Sequence, residues 1–305
     1  MKRFKTISQF HHFRELPAPE HPLISVSEFD LVKQVENLPP ISWCYDFYAI
    51  GMKRVSFSPN IKFKYGQQPY DFNEGLMSFV APNQVLSLSI DTEHEEVKHA
   101  GWLLLIHPDF LWNTPLAKTI KNHDFWNYSV HESLFLSAKE EETIIQILKN
   151  IQQEYHANMD RFSKQIIISQ IESLLNYSDR FYNRQFITRE KANHHILEKL
   201  EILLNTYFNS DELIIKGLPT VQYISEQLNI SPNYLRNLLK VLTGQNTQQH
   251  IHDKLIEKAK EKLSVTELSI SEIAYELGFE HPQSFTKFFK SKANVSPLIF
   301  RQSFN

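Results

Sequence analysis

The chain has 305 residues, 42% of them hydrophobic and 12% aromatic, which is length enough for two buried cores rather than one. Its 32 Lys and Arg against 35 Asp and Glu leave a formal net charge of −3, excluding a uniformly basic nucleic-acid coat, so any such binding has to come from local charge. A single cysteine, Cys44, excludes an internal disulfide and a CxxC zinc site.

The opening MKRFKTISQFHHFRELPAPEHP is basic and aromatic but lacks the continuous apolar run of a secretory leader, and nowhere do about 18 apolar residues follow one another. A cytoplasmic protein without membrane segments is expected. Between Trp43 and Ile106 the pattern has period two: Trp43, Tyr45 and Phe47 alternate with Cys44, Asp46 and Tyr48, and Ile61, Phe63 and Tyr65 with Lys62 and Lys64. Turn signals at 58–60, 65–69, 72–75 and 81–84 cut this region into short strands, and the apolar run WLLLI at 102–106 suits a strand buried on both faces.

After Pro115 the period lengthens. Residues 139–159 place Ile144, Ile147, Leu148, Ile151 and Tyr155 at helical spacing, with glutamates crowding the first turn where the helix dipole favours them. Residues 162–182 repeat the pattern with Ile167, Ile171, Leu174 and Leu175, giving an antiparallel helical hairpin. The basic, aperiodic segment at 181–192 reads as a linker between a first domain, 1–180, and a second, 193–305. The second domain reads as entirely helical, in segments near 194–208, 220–228, 232–242, 246–264, 271–277, 282–291 and 297–303, with prolines at helix entries and Gly244 and Gly278 at helix exits.

Sliding this second region on itself by about 50 residues exposes an internal repeat. Ile224, Leu228 and Ile230 fall on Ile273, Leu277 and Phe279; after one extra residue in the second turn, Leu235, Leu238, Leu239 and Lys240 fall on Phe285, Phe288, Phe289 and Lys290. Each copy, 220–243 and 271–292, is a short helix, a tight turn and a second helix, the form of a helix-turn-helix. Phe285, Phe288 and Phe289 then bury one face of the last helix, which projects Gln283, Ser284, Thr286 and Lys287 from the other. The matching face of the first copy is Asn233, Tyr234, Arg236 and Asn237. Amides, hydroxyls and cations are the groups that read base edges, whereas Lys240 and Lys290, further along, suit phosphates. The helix joining the copies carries Lys254, Lys258 and Lys262 beside Glu257 and Glu261, the spacing of a solvated, ion-paired face. From Pro219 onward there are 10 Lys and Arg against 8 Asp and Glu, so this end is mildly basic on an acidic chain.

The tandem motif, with ISEIAYELGF at 270–279, SFTKFFK at 284–290 and VSPLIFR at 295–301, resembles the AraC/XylS family of bacterial transcription regulators over about residues 193–305. The resemblance implies a bi-lobed domain whose two recognition helices enter successive major grooves of double-stranded DNA, with the residues named above as the contacts. It also implies a cupin-like β-domain ahead of the helices that senses a small-molecule effector, a homodimer formed through the helical hairpin, and RNA polymerase as a partner. Ser225 departs from the family's pattern, standing where a small alanine is common.

The expected architecture is therefore α+β: a cupin-like β-domain with a helical hairpin, then an all-α tandem helix-turn-helix domain. Trp43, Tyr45, Phe47, Phe63 and Tyr65 either line an effector pocket or form solid core; both readings stay open. So does a regulator without an effector, whose first domain only dimerises or binds a protein. A cupin-type enzyme would need closely spaced histidines, a carboxylate and a later histidine, and His94, His99 and His107 do not make such a set. No catalytic residue, metal ligand or cofactor is expected, and seven glycines offer no phosphate-cradling loop.

Overall fold

The structure is a computed structural model that describes residues 2–35, 41–56, 64–65, 68–69, 75–88, 95–128, 132–157, 160, 162–188 and 190–303. Two compact units divide the chain, Met1–Gln185 and Phe186–Asn305. The first is β-rich and the second helical, the α+β arrangement expected.

In the first unit, β1 (Lys2–Phe4) is followed by α1 (Ile7–Phe13), whose N-terminus Thr6 caps by accepting from the Gln9 amide at 3.2 Å. Then come β2 (Ile24–Val35), β3 (Ile41–Tyr45), β4 (Tyr48–Ser56), β5 (Lys64–Tyr65), β6 (Gln68–Pro69), β7 (Gly75–Val80), β8 (Val85–Leu88) and β9 (Glu95–Ile106). Three 3-10 turns and the short α2 (Leu116–Thr119) lead into β10 (Leu134–Leu136) and the two long helices, α3 (Ala138–His156) and α4 (Ser163–Thr188).

The strands form a five-stranded sheet in the order β10-β7-β4-β9-β2, a three-stranded sheet β1-β3-β8 and a β5-β6 pair. β2 and β9 pair antiparallel over twelve residues each, Ile24 opposite Ile106 and Val35 opposite Glu95. β9 begins at Glu95, well before the apolar WLLLI: inter-strand backbone pairing needs no apolar alternation, so the ladder runs on through polar residues. β1 runs parallel to β3, and α1 covers this smaller sheet. Phe4, Ile7, Phe10, Tyr45, Phe47, Ala49, Val80 and Leu105 make one core there, with Tyr45 and Phe47 stacked at 5.0 Å and Phe10 edge-on to Tyr45 at 5.2 Å.

The helical hairpin is present. Arg184 near the end of α4 makes a two-point ion pair with Glu140 at the start of α3, at 3.0 and 2.6 Å, while Asn150 approaches Gln170, so the helices run antiparallel. Their buried stripes are Ile144, Ile147, Leu148, Ile151 and Tyr155 on α3 and Ile167, Ile171, Leu174 and Leu175 on α4. The stripe does not stop at 180, and this corrects the aperiodic linker expected at 181–192. Ser178, Phe181, Tyr182, Gln185 and Phe186 continue it, all buried, and α4 runs to Thr188. Polar Ser178 and Gln185 hide the period in the sequence. Gln185 is buried because its carboxamide docks the β10 backbone, accepting from the Phe135 amide at 2.8 Å and donating to the Ser133 carbonyl at 3.3 Å.

The second unit contains α5 (Glu190–Phe208), α6 (Glu212–Lys216), α7 (Val221–Leu228), α8 (Pro232–Thr243), α9 (Thr247–Val265), α10 (Ile270–Glu276), α11 (Pro282–Ala293) and α12 (Pro297–Gln302). α6 had no counterpart among the expected helices. Five residues with only Leu213 buried are too few to show a period. The other seven overlap the expected segments, α5 starting four residues early inside the expected linker, and share one core: Leu200 and Leu204 of α5, Ile224 of α7, Leu235 and Leu239 of α8, the α9 stripe, Ile273 and Ala274 of α10, Phe285 and Phe289 of α11, with Phe300 of α12 packed against it. The α9 stripe is Ile251, Leu255, Ala259 and Leu263, as its spacing requires.

Candidate nucleic-acid interface

The two repeat copies match down to the backbone. α7 ends on Asn229 in the left-handed region (φ 55°), with Ile230 N–H donating to Ser225 carbonyl at 3.0 Å. α10 ends through Leu277 and left-handed Gly278 (φ 78°), and Phe279 N–H donates to Ala274 carbonyl, again at 3.0 Å. Both are the six-to-one closure that satisfies carbonyls at a helix end and reverses the chain. Ser231 then caps α8, accepting from the Tyr234 amide at 3.2 Å, with Pro232 in the first turn. In the second copy one extra residue lets His281 and Pro282 start α11.

On α8, Arg236 and Lys240 are exposed and Asn233 and Asn237 half-exposed, a stripe at helical spacing opposite buried Leu235, Leu238 and Leu239. Tyr234 is a correction: it is only 7% exposed and stands edge-on to Phe186 at 5.0 Å. One turn before Leu238, it belongs to the buried side, so it is removed from the outward face. On α11, Gln283, Ser284, Lys287 and Lys290 are exposed. Thr286 is half-buried and its hydroxyl donates to the Pro282 carbonyl at 3.1 Å, which leaves it to its own helix rather than to a ligand's acceptor. Phe288 is half-buried, between Phe279 at 5.8 Å and His252 of α9 at 5.4 Å, while Phe285 and Phe289 are fully buried. His281 is exposed at the entry to α11, just before Pro282 of its first turn.

The charges divide by helix. On α9, Lys254 pairs with Glu257 and Lys258 with Glu261, both at 2.8 Å, and Lys262 pairs with Glu276 of α10 at 2.6 Å. Lys254, Lys258 and Lys262 thus form a paired, half-buried stripe, while Lys260 is exposed near the Phe300 ring without an ion pair among the described residues. Lys240, Lys287 and Lys290 have no carboxylate within ion-pair distance among the described residues. The nineteen residues of α9 span about 28 Å, close to the rise of one turn of duplex.

The other expected residues lie in the first unit. Tyr45 and Phe47 are buried in its core and Trp43 packs half-buried against them; Tyr65 sits in β5, and Phe63 lies outside the described residues. His99 is in β9 and His107 precedes a 3-10 turn, its Nδ1 3.4 Å from Asp109, while His94 lies outside the described residues. No group of three or more His, Cys, Asp or Glu suited to a metal occurs among the described residues, and no described helix is long and apolar enough to cross a membrane.

Two helix-turn-helix copies around one core, with α9 as the strut, define a tandem helix-turn-helix protein. The helix-turn-helix domain family matches residues 224–303. The transcriptional activator RhaS of Escherichia coli O139:H28 is 33% identical over 79 residues, covering 26% of this chain and 28% of RhaS. The regulator YfiF of Bacillus subtilis is 28% identical over 143 residues, covering 47% of this chain and 42% of YfiF. The C-terminal domain of the response regulator yesN of Fusobacterium nucleatum is 30% identical, covering 34% of this chain and 95% of that domain, with a TM-score of 0.30. The chain thus spans less than half the length of these curated relatives. Residues 224–303 belong to that helix-turn-helix domain family, and this part of the chain is similar to bacterial transcription regulators.

Proposed function

We propose that the protein is a sequence-specific, DNA-binding transcription regulator of the cytoplasm whose α8 and α11 enter successive major grooves on one side of the duplex. The observation that carries this is the outward stripe itself: Lys240, Lys287 and Lys290 are exposed beside Asn233, Asn237 and Gln283 and have no ion pair among the described residues, whereas Lys254, Lys258 and Lys262 of the strut are paired. Asn233, Arg236, Asn237, Gln283, Ser284 and Lys287 are the base-reading set, and Lys240 and Lys290 the phosphate contacts. No role as an enzyme is assigned.

The first unit is the sensing and pairing part of this reading, with a small-molecule effector as its ligand and RNA polymerase as a partner of the bound complex. Phe162, just before α4, and Ile166 and Tyr177 on it are exposed apolar side chains. Exposed apolar groups on this helix suit a homodimer. Its alternative, a first unit that only dimerises, differs in one result: a metabolite panel would leave the melting temperature unmoved.

Selection of duplexes from a random pool by the full chain, followed by binding titrations at several salt concentrations, tests the reading. A recovered site spanning about two turns, with salt-sensitive affinity, is expected. A footprint confined to one groove would show that a single copy docks, and no enrichment at all would remove the proposal.

A further inference from the structure

The first unit contains a cavity of about 420 Å³ away from the aromatic strands, between the start of β4, the β7–β8 turn and the segment that follows β9. That is the size range of small-metabolite sites. Its walls include the rings of Tyr48 and Trp126, 4.8 Å apart, with Leu111 and Ile120. Among its described lining residues Lys121 is the one cation, Asn83 and Asn127 bring carboxamides, and there is no carboxylate.

Two donors belong to these walls. Trp126 is buried, and its indole Nε1–H has no hydrogen-bond partner among the described residues. An indole can only donate, and a buried donor without an acceptor is uncommon in a folded protein. Asn83 is held in the left-handed region (φ 68°), its amide donating to the Tyr45 carbonyl at 2.7 Å and its Oδ1 accepting from Arg3 at 2.8 Å. With its oxygen engaged, the carboxamide has its N–H₂ left for another partner. Aromatic walls combined with a cation and the Asn83 carboxamide match an apolar body carrying an acceptor-rich, negative end.

We propose that this cavity, and not the Trp43–Phe47 strand, is the effector site, and that it takes a small aromatic carboxylate, its ring against Tyr48 and Trp126 and its carboxylate near Lys121. The inference rests on the effector reading given above.

The full chain labelled with ¹⁵N on its indoles has four tryptophans, and Trp126→Phe identifies the Trp126 signal by its loss. Phenylacetate serves as the probe and phenylacetamide as its neutral counterpart. Phenylacetate is expected to move the Trp126 signal and to bind at least about tenfold more tightly than the amide, since a charge-assisted hydrogen bond is at stake. Lys121→Gln is expected to abolish that preference while leaving amide binding unchanged. Equal binding of acid and amide, or no moved signal at millimolar probe, would overturn this site. Movement of Trp43 without Trp126 would also overturn it, while keeping the effector reading. A metabolite panel scored by melting temperature decides that reading independently.

Discussion

The two helix-turn-helix copies begin from one pattern and end with different surfaces. Ile224 and Ile273, Leu235 and Phe285, and Leu239 and Phe289 are equivalent and all fully buried. Outside that shared set they diverge. Tyr234 is covered by Phe186 whereas its equivalent Ser284 is exposed, and Leu238 is buried whereas its equivalent Phe288 is half-exposed against His252. The first copy is flanked by the chain entering the unit; the second has that side open. A repeat therefore fixes which positions must be apolar in both copies, and the neighbours of each copy decide how much of the remaining surface stays available to a ligand.

If one core serves both copies, truncating it in either should lower the same unfolding transition. Phe289→Ala is expected to destabilise by about 3–5 kcal/mol and Leu239→Ala by about 2–5 kcal/mol. Hydrogen exchange reads the outcome: both copies should lose protection together in either variant. Retention of protection in α7 and α8 after Phe289→Ala would divide the unit into independent halves.

The two turns give the next contrast. A Cβ at Gly278 would meet the Leu213 carbonyl at 2.7 Å and the Gly217 Cα at 3.1 Å, in a backbone conformation that L-residues already resist. Gly278→Ala should cost above about 2 kcal/mol. Asn229 occupies the same conformation, so Asn229→Gly should change stability by no more than about 1 kcal/mol. Equal melting temperatures for the two variants would mean that the approach of the α10 turn to α6 carries no constraint.

Most of this unit was legible because its helices are short, bounded by prolines and glycines, and repeated. Tyr234 was misplaced because the polar run Asn233–Asn237 masks its position one turn before Leu238, and because its cover, Phe186, lies in a segment without an evident period. Gln185 and Ser178 hid the continuation of α4 for the same reason: each is buried through a hydrogen bond, which a hydrophobic pattern does not record. In the first unit the alternation through Trp43 and Tyr45 marked a strand, Phe47 falls in the bend after it, and the pattern could not tell core from pocket. The cavity beside Trp126 is assembled from β4, a turn and 3-10 segments far apart in sequence, and no local spacing announces it.

The recognition stripe offers a comparison between neighbouring residues of α11. Gln283→Ala is expected to cost about 1–3 kcal/mol on the selected site and to relax preference at one or two base pairs. Lys290→Ala should weaken selected and scrambled duplexes alike and flatten the salt dependence by about one phosphate contact. Titrations on both duplexes at several salt concentrations separate the two. The reverse pattern, with Lys290 altering the ratio and Gln283 not, would mean that another face of α11 enters the groove.

The smallest expected effect concerns the one polar substitution inside the repeated core. Ser225 is 1% exposed and its hydroxyl has no hydrogen-bond partner, while the equivalent Ala274 fills the same place in the second copy without a polar atom. Both residues give their carbonyl to the turn that follows, so the backbone role survives substitution. Ser225→Ala removes a desolvated hydroxyl and leaves only a one-atom void. The two terms oppose each other, and because an unsatisfied buried group is the larger of them, the variant should gain up to about 1 kcal/mol. Chemical denaturation of the two proteins side by side measures it through the midpoint at constant slope. A loss of about 1 kcal/mol or more would show that the hydroxyl is satisfied in solution, and that the first copy holds a polar contact in its core that the second copy does without.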